Sequence, residues 1–324
     1  MNTKLLVWAG VATMLAACSH NEDLPSSKPD ALTDTPITVT VGVNELVSRA
    51  GYDASNLPTA FVLFIKQSAD KGYSTDPAVN CNYNYGNVYM TFENDTWTPK
   101  NMGDIPLLWK NSKPGEEVTA YTLQDGDMPD FTADAPETQF RVEVLSDQTT
   151  AENVRKSDWL YARTKNVGPD ENGSIRIPFS HQLSQLKVVL KKGTEIVGDV
   201  TFESVTVDGC CRMWTTADLT EDPDIHADSG EPQTGSVSMM QSDAADNLNW
   251  ECVLIPQTIA DLMITIKASD GKNYVYNASK ELVFKKQSSH NLTLTVGHDK
   301  VTSGEFTADK WTEGEGSAGD VETE

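Results

Sequence analysis

The 324-residue chain is 38% hydrophobic and carries a formal net charge of -23, from 48 acidic and 25 basic residues. That apolar content can bury a sizeable core, which excludes wholesale disorder, and the length fits two domains. The acid surplus excludes a nucleic-acid partner, which needs a basic stripe that nowhere appears, and disfavours an anionic bilayer surface; it reads as a solvated surface before it reads as a cation site.

Residues 1–17 hold one early cation, Lys4, and then an apolar run over 5–15 that is too short to span a bilayer. This is the pattern of a signal peptide. It ends in Leu15-Ala16-Ala17-Cys18, a lipobox: small residues admit the peptidase, and the Cys18 thiol takes a diacylglyceryl group. Acyl chains gain on the order of 0.8 kcal/mol per buried methylene, so an acylated Cys18 anchors the chain without a transmembrane helix. Residues 18–35, rich in Ser, Asp, Asn and Pro, read as a flexible tether.

Ile37, Val39, Val41 and Val43 alternate with Thr38, Thr40 and Gly42, which predicts a strand. Residues 44–56 follow as a loop with a lone Arg49 before Ala50-Gly51. The continuous apolar run over 60–65 predicts a buried central strand. Further strands are expected over 88–92, 107–109, 118–121 and 140–144, separated by turns such as Glu93-Asn94-Asp95 and Lys113-Pro114-Gly115. Only residues 149–161 read as helical. Many short strands with polar turns predict an all-β chain built as antiparallel sandwiches, not a doubly wound sheet.

Residues 173–190 carry a break in pattern. Ile175, Ile177, Phe179, His181 and Leu183 alternate, and then Leu186, Val188 and Leu190 continue with the opposite parity. One residue of slip turns every side chain to the other face, so the chain bends or bulges here. The slip is read as the handover between an N-terminal domain over 36–184 and a C-terminal domain over 185–311. Beyond it, Phe202, Val205 and Val207 predict a strand ending at Asp208-Gly209-Cys210-Cys211. Trp250, Cys252 and Leu254 mark another that stops at Pro256; Leu262, Ile264 and Ile266 run to a turn at Asp270-Gly271. Tyr274, Tyr276, Leu282, Phe284, Leu292, Leu294 and Val296 complete the core. Residues 220–234 read as a long acidic loop, and 312–324 as an acidic flexible tail.

No constellation for catalysis emerges. Cys81, Cys210, Cys211 and Cys252 lack zinc spacing; a disulfide from Cys210 or Cys211 to Cys252 and small buried hydrophobes are the alternatives. No GxSxG or comparable motif lies near a histidine, and His181 on an apolar face reads as a hydrogen-bonded core residue. Asp222, Asp224, His226, Asp228 and Glu231 crowd one loop but lack EF-hand spacing. Trp97, Trp109, Trp214 and Trp250 suit either a sugar-stacking platform or, preferably, core packing.

The run Phe179-Ser180-His181-Gln182-Leu183-Ser184-Gln185-Leu186-Lys187-Val188-Val189-Leu190 resembles the signature of the fimbrillin family, the lipoprotein precursors of type V pili in Bacteroidetes. Trp97, Ala120-Tyr121, Asp147-Gln148, Ser157-Asp158 through Tyr161-Ala162, Leu254-Ile255-Pro256-Gln257-Thr258 and Trp311 fall in the family's order. The resemblance implies two consecutive transthyretin-like β-sandwiches in a non-enzymatic, cofactor-free outer-membrane lipoprotein of the cell surface. It implies that a trypsin-like protease cuts between Arg49 and Ala50, and that Ile37, Val39, Val41 and Val43 form a removable strand. Other pilin subunits then exchange strands with this one, and the fimbria supports adhesion to a host or bacterial surface. Glu22-Asp23 resembles surface-export signals of such lipoproteins, or is simply polar tether. After Val296, Val301, Phe306, Ala308 and Trp311 alternate poorly, so a weak C-terminal donor strand is expected. A surface glycan-binding lipoprotein is the alternative reading.

Overall fold

A computed structural model describes residues 34–43, 51–53, 56–67, 83–111, 117–124, 128–131, 139–165, 173–196, 198–219, 224–226, 233–242, 247–298 and 300–311. Among them the fold is almost entirely β. The first half contributes β1 (Thr38–Val43), β2 (Ala60–Lys66), β3 (Tyr85–Glu93), β4 (Thr96–Pro99), β5 (Glu117–Tyr121), β6 (Gln139–Glu143), helix α1 (Ala151–Ser157), β7 (Leu160–Lys165) and β8 (Ser174–His181).

The unbroken apolar run of β2 is explained by its position. Phe61, Leu63 and Ile65 point into one core and Val62 and Phe64 into another, so neither face meets water. The sheet runs β1-β8-β7-β5-β2-β3-β4 and curls until its two edge strands, β1 and β4, pack beside each other. The core inside that curl joins Ile175, Ile177 and Phe179 of β8 to Phe61, Leu63, Val88, Met90 and Trp109, with the Phe61 and Phe179 rings 5.4 Å apart.

The second half supplies β9 (Ser184–Lys192), β10 (Phe202–Arg212), β11 (Trp214–Asp218), β12 (Asp224–His226), β13 (Thr234–Ser238), β14 (Met240–Gln241), β15 (Asn249–Leu254), β16 (Gln257–Ile259), β17 (Met263–Ala268), β18 (Asn273–Asn277), β19 (Leu282–Phe284), β20 (Ser288–Val296) and β21 (Val301–Lys310). A five-stranded sheet, β14-β15-β9-β20-β21, packs against a four-stranded one, β13-β10-β17-β18, over a core that includes Leu186, Val188, Val205, Ile264, Leu292 and Leu294. The parity slip falls between β8, in the curled sheet, and β9, in this sandwich: the buried set passes from Ile175, Ile177, Phe179 and His181 to Leu186, Val188 and Leu190. A third core, holding Val62, Phe64, Trp159, Tyr161, Leu183, Val253, Ile255 and Trp311, lies between the halves, and β6 of the first half pairs with β11 of the second.

Several elements depart from the sequence reading. Two pairings are parallel, β1 with β8 and β9 with β20, within otherwise antiparallel sheets. The helix is only seven residues: the Thr150 hydroxyl caps its start by accepting from the Asn153 N–H at 3.2 Å, and Asp158 ends it in extended backbone. The remainder of the helical reading becomes β7, because Leu160 and Tyr161 must bury into different cores. Residues 107–109 form no strand and make a single bridge, Leu108 to Pro36. The strand expected to end at Asp208-Gly209-Cys210-Cys211 runs through Arg212; its register with β13 shifts between Val207 and Cys211, and Gly209 takes φ +61° with its N–H on the Ser236 hydroxyl. Within the acidic loop, residues 224–226 pair with β11.

Backbone that finds no strand is satisfied by glutamine. The fully buried Gln148 amide accepts from the Val253 N–H and donates to the Val253 carbonyl, both at 2.8 Å, closing an edge of β15. Gln124 does the same for Glu143 of β6, at 2.7 Å each way. Gln148→Ala leaves both Val253 groups buried and unsatisfied, at about 1–3 kcal/mol apiece; denaturant unfolding is expected to show a loss of about 2–4 kcal/mol, whereas Gln241→Ala near the rim loses less than about 1 kcal/mol.

His290 of β20 is buried, accepts the Lys285 N–H on Nε2 at 3.0 Å, and stacks on Phe306 of β21. Burial pushes its pKa below the usual 6.5, so the neutral ring is the native form. The unfolded chain therefore binds the proton more readily, and the associated stability is present above pH 6.5 and falls as pH drops toward the depressed native value. The melting temperature is expected to decrease between pH 7 and pH 5.5 in the native chain, with a shallower decrease in His290→Leu.

Candidate functional site

The site builds from β1 and the groove that holds it. Ile37, Val39 and Val43 are buried and Val41 half-buried, all facing the first core, while Thr38 and Thr40 face out. Register runs parallel from Thr38 opposite Ser174 to Val43 opposite Phe179. The Thr38 and Ser174 hydroxyls lie 2.5 Å apart, and the Thr40 hydroxyl donates to the Ile175 carbonyl at 3.3 Å. Before Thr38 the same chain is laced antiparallel to a different segment: the Asp34 N–H donates to the Trp109 carbonyl, the Trp109 N–H to Thr35, and the Ile37 N–H to Leu107, each at 2.9 Å. The Trp109 indole N–H donates to the Gly173 carbonyl at 2.7 Å, fixing the start of β8.

The dependence is mutual. β8 pairs with β7 only through Tyr161 to Ser180 and Leu160 to His181, so β1 is the ladder partner of residues 174–179 among the described residues. Burying three full and one partial apolar side chain on Ile37 and β1 contributes on the order of 6 kcal/mol as an upper figure. That is comparable with the whole stability of a typical domain. A seated six-residue strand occupies a slot about 20 Å long.

Beyond β1, the chain is anchored again at Gly51. The Tyr52 N–H donates to the Asp158 carboxylate at 3.3 Å, Asn56 Nδ2 donates to the Gly51 carbonyl, and Asp53 and Asn56 bridge each other. Burial first, and the Asp158 charge second, push the Tyr52 hydroxyl pKa up to about 12. Asp158 is itself buried and lies 3.0 Å by both oxygens from His181 Nδ1. The His181 ring stacks on Trp311 at 4.0 Å with 4° between planes. One carboxylate thus joins the chain after Arg49, the end of β8 and the residue that follows β21.

Of the residues singled out from sequence, Ile37, Val39, Val41 and Val43 meet Ile175, Ile177 and Phe179 in the groove. Cys18, Arg49 and Ala50 lie outside the described residues, as do Cys81, Asp222, Asp228, Glu231 and residues 312–324. Cys211 and Cys252 are both buried, and the Cys211 to Cys252 bridge is not made; burial first, then Glu251, pushes the Cys252 thiol above its usual range. The indoles form no platform. Trp109 and Trp250 are buried, Trp97 packs on Phe61 at 4.6 Å, and Trp214 lies under the Arg141 guanidinium. Groups of three metal-binding side chains are absent among the described residues. β21 is a ten-residue strand seated antiparallel on β20, longer than the poor alternation suggested, because only its partner-facing backbone and Trp311 need the core. Sequence reading missed the Asp158 junction, although Ser157-Asp158 and His181 both stood inside the blocks it used.

A family model described as fimbrillin-like matches residues 56–311. A Bacteroides ovatus structure named as a candidate cell adhesion protein superposes with a TM-score of 0.61 at 15% identity, covering 87% of this chain and 100% of that one. Another so named, from Bacteroides uniformis, gives 0.56 at 18%, covering 86% and 99%. No curated protein is similar enough in sequence to count as a relative. With the match spanning most of its length, the chain belongs to the fimbrillin-like family.

Proposed function

We propose that this chain is a structural, non-enzymatic subunit of a cell-surface fimbria, exported as an outer-membrane lipoprotein through Cys18, cut after Arg49 by a trypsin-like protease, and assembled by strand exchange with other pilin subunits in support of adhesion. The observation that carries the reading is that β1 is an edge strand supplying the ladder partner of residues 174–179, and that Arg49 lies six residues beyond its end. A cut there severs β1 and the lipid from the body, while Gly51 and Tyr52 remain held at Asp158. No covalent bond then holds β1 on β8, and the backbone amides and apolar slot it covers can be served by a strand from elsewhere. Two units with their own cores, over 36–184 and 185–311, would keep that exchange local to the first. β21 is already seated in its own sheet with Trp311 buried, which favours a subunit that receives a strand over one that readily gives its own.

Two measurements test the reading. Cys18→Ala is expected to abolish labelling by a fatty-acid analogue in the producing cell; undiminished labelling removes the lipoprotein step. Limited trypsin treatment is expected to cut first after Arg49 and convert monomers to ladders on a gel, with Arg49→Ala remaining monomeric. A chain that is cut at Arg49 yet stays monomeric at high concentration rejects self-polymerisation and points to a strand from a different pilin.

A further inference from the structure

The two ends of β1 are held unequally. At its start, residues 34–37 make three backbone hydrogen bonds at 2.9 Å with residues 107–109, the Asp34 carboxylate accepts the Tyr83 hydroxyl at 2.6 Å, and the Thr38 and Ser174 hydroxyls meet. Toward its end these contacts thin out. Side-chain hydrogen bonds of β1 stop at Thr40 among the described residues, Val41 is half-buried, and Gly42 offers no side chain. Val43 opposite Phe179 is the last register pair. Severing the chain within residues 44–50 therefore frees the weaker end and leaves the stronger end intact.

Resting on the reading of β1 as the replaceable strand, we infer that cleavage does not release it. β1 stays seated as a non-covalent strand until an extended segment of a second chain displaces it, entering at the Val43 and Phe179 end and finishing at Asp34 and Trp109. Leaving first would expose the slot on β8 and strip residues 174–179 of their ladder partner, a loss comparable with the stability of the domain. Stepwise replacement avoids that state, because each hydrogen bond and apolar contact given up by β1 is remade by the entering strand. The displacing segment must present apolar side chains at four alternate positions, matching Ile37, Val39, Val41 and Val43. It is not confined to glycine at the position of Gly42. A Cβ there would stand 3.1 Å from the guanidinium of Arg176, an exposed flexible side chain that can swing aside.

The test uses the full chain with Cys18→Ser, to remove acylation, and with a site for a sequence-specific protease placed within residues 44–50. The cut is then independent of Arg49, so failure of trypsin-like processing leaves this test standing. After cleavage, size-exclusion chromatography with mass spectrometry is expected to find the β1 fragment still with the body. A fluorescent peptide of residues 33–45 is the entering strand. Its rate of incorporation is expected to rise in proportion to peptide concentration, and Val43→Ala in the body-bound strand is expected to raise that rate by about tenfold, against less than about threefold for Ile37→Ala. Loss of the fragment on cleavage alone, or incorporation at a rate independent of peptide concentration, overturns retention. A larger effect of Ile37→Ala overturns the direction of entry. The concentration dependence is read on the unsubstituted strand, so it stands even if a substituted strand fails to seat.

Discussion

The contact between Asp158 and His181 ties the end of α1 to the end of β8 within the first half, and the stack of His181 on Trp311 carries that tie to the second. A buried carboxylate and a buried imidazole each need a partner, and here each supplies the other's at 3.0 Å. The requirement fixes the neighbours as well. Asp158 terminates α1 and accepts the Tyr52 N–H, while His181 ends β8 and lies flat on Trp311. Four stretches distant in sequence converge on two side chains, at the point where the first core gives way to the third. Breaking the pair would leave a buried polar side chain without this partner, so the geometry tolerates little drift.

Around that junction the structure meets a recurring demand: short strands in mixed sheets leave many backbone groups without ladder partners, and burial makes them costly. Glutamine amides answer it. Gln148 and Gln124 each offer one donor and one acceptor at the spacing of a strand edge, closing β15 and β6 where no strand follows. Gln67 serves the segment around Leu108 and Lys110 in the same manner. These contacts stitch together elements that hydrophobic packing alone would bring close without fixing in register.

Much of the fold was legible because its strands obey simple periods. The alternation of Ile37 through Val43 and of Leu262 through Ile266 gave strands where strands occur, and the slip after Leu183 marked the passage between sheets. What escaped were consequences of distant contact. That β1 lies parallel to β8 depends on a partner 136 residues away, and no local pattern encodes it. Leu160 and Tyr161 looked helical and became strand because two cores claim alternate residues. The proposed processing at Cys18 and Arg49 rests on sequence motifs alone, whereas the groove that seats β1 emerges only from its packing on β8.

The long separation between β1 and β8 also carries an entropic cost. Closing a loop of 136 residues costs on the order of 4 kcal/mol in chain entropy, which the contacts of β1 with β8 and with the core must offset. A strand held by such distant contacts is defined by the surface it meets and not by its neighbours in sequence, so any segment with the same spacing of apolar side chains meets the same demands.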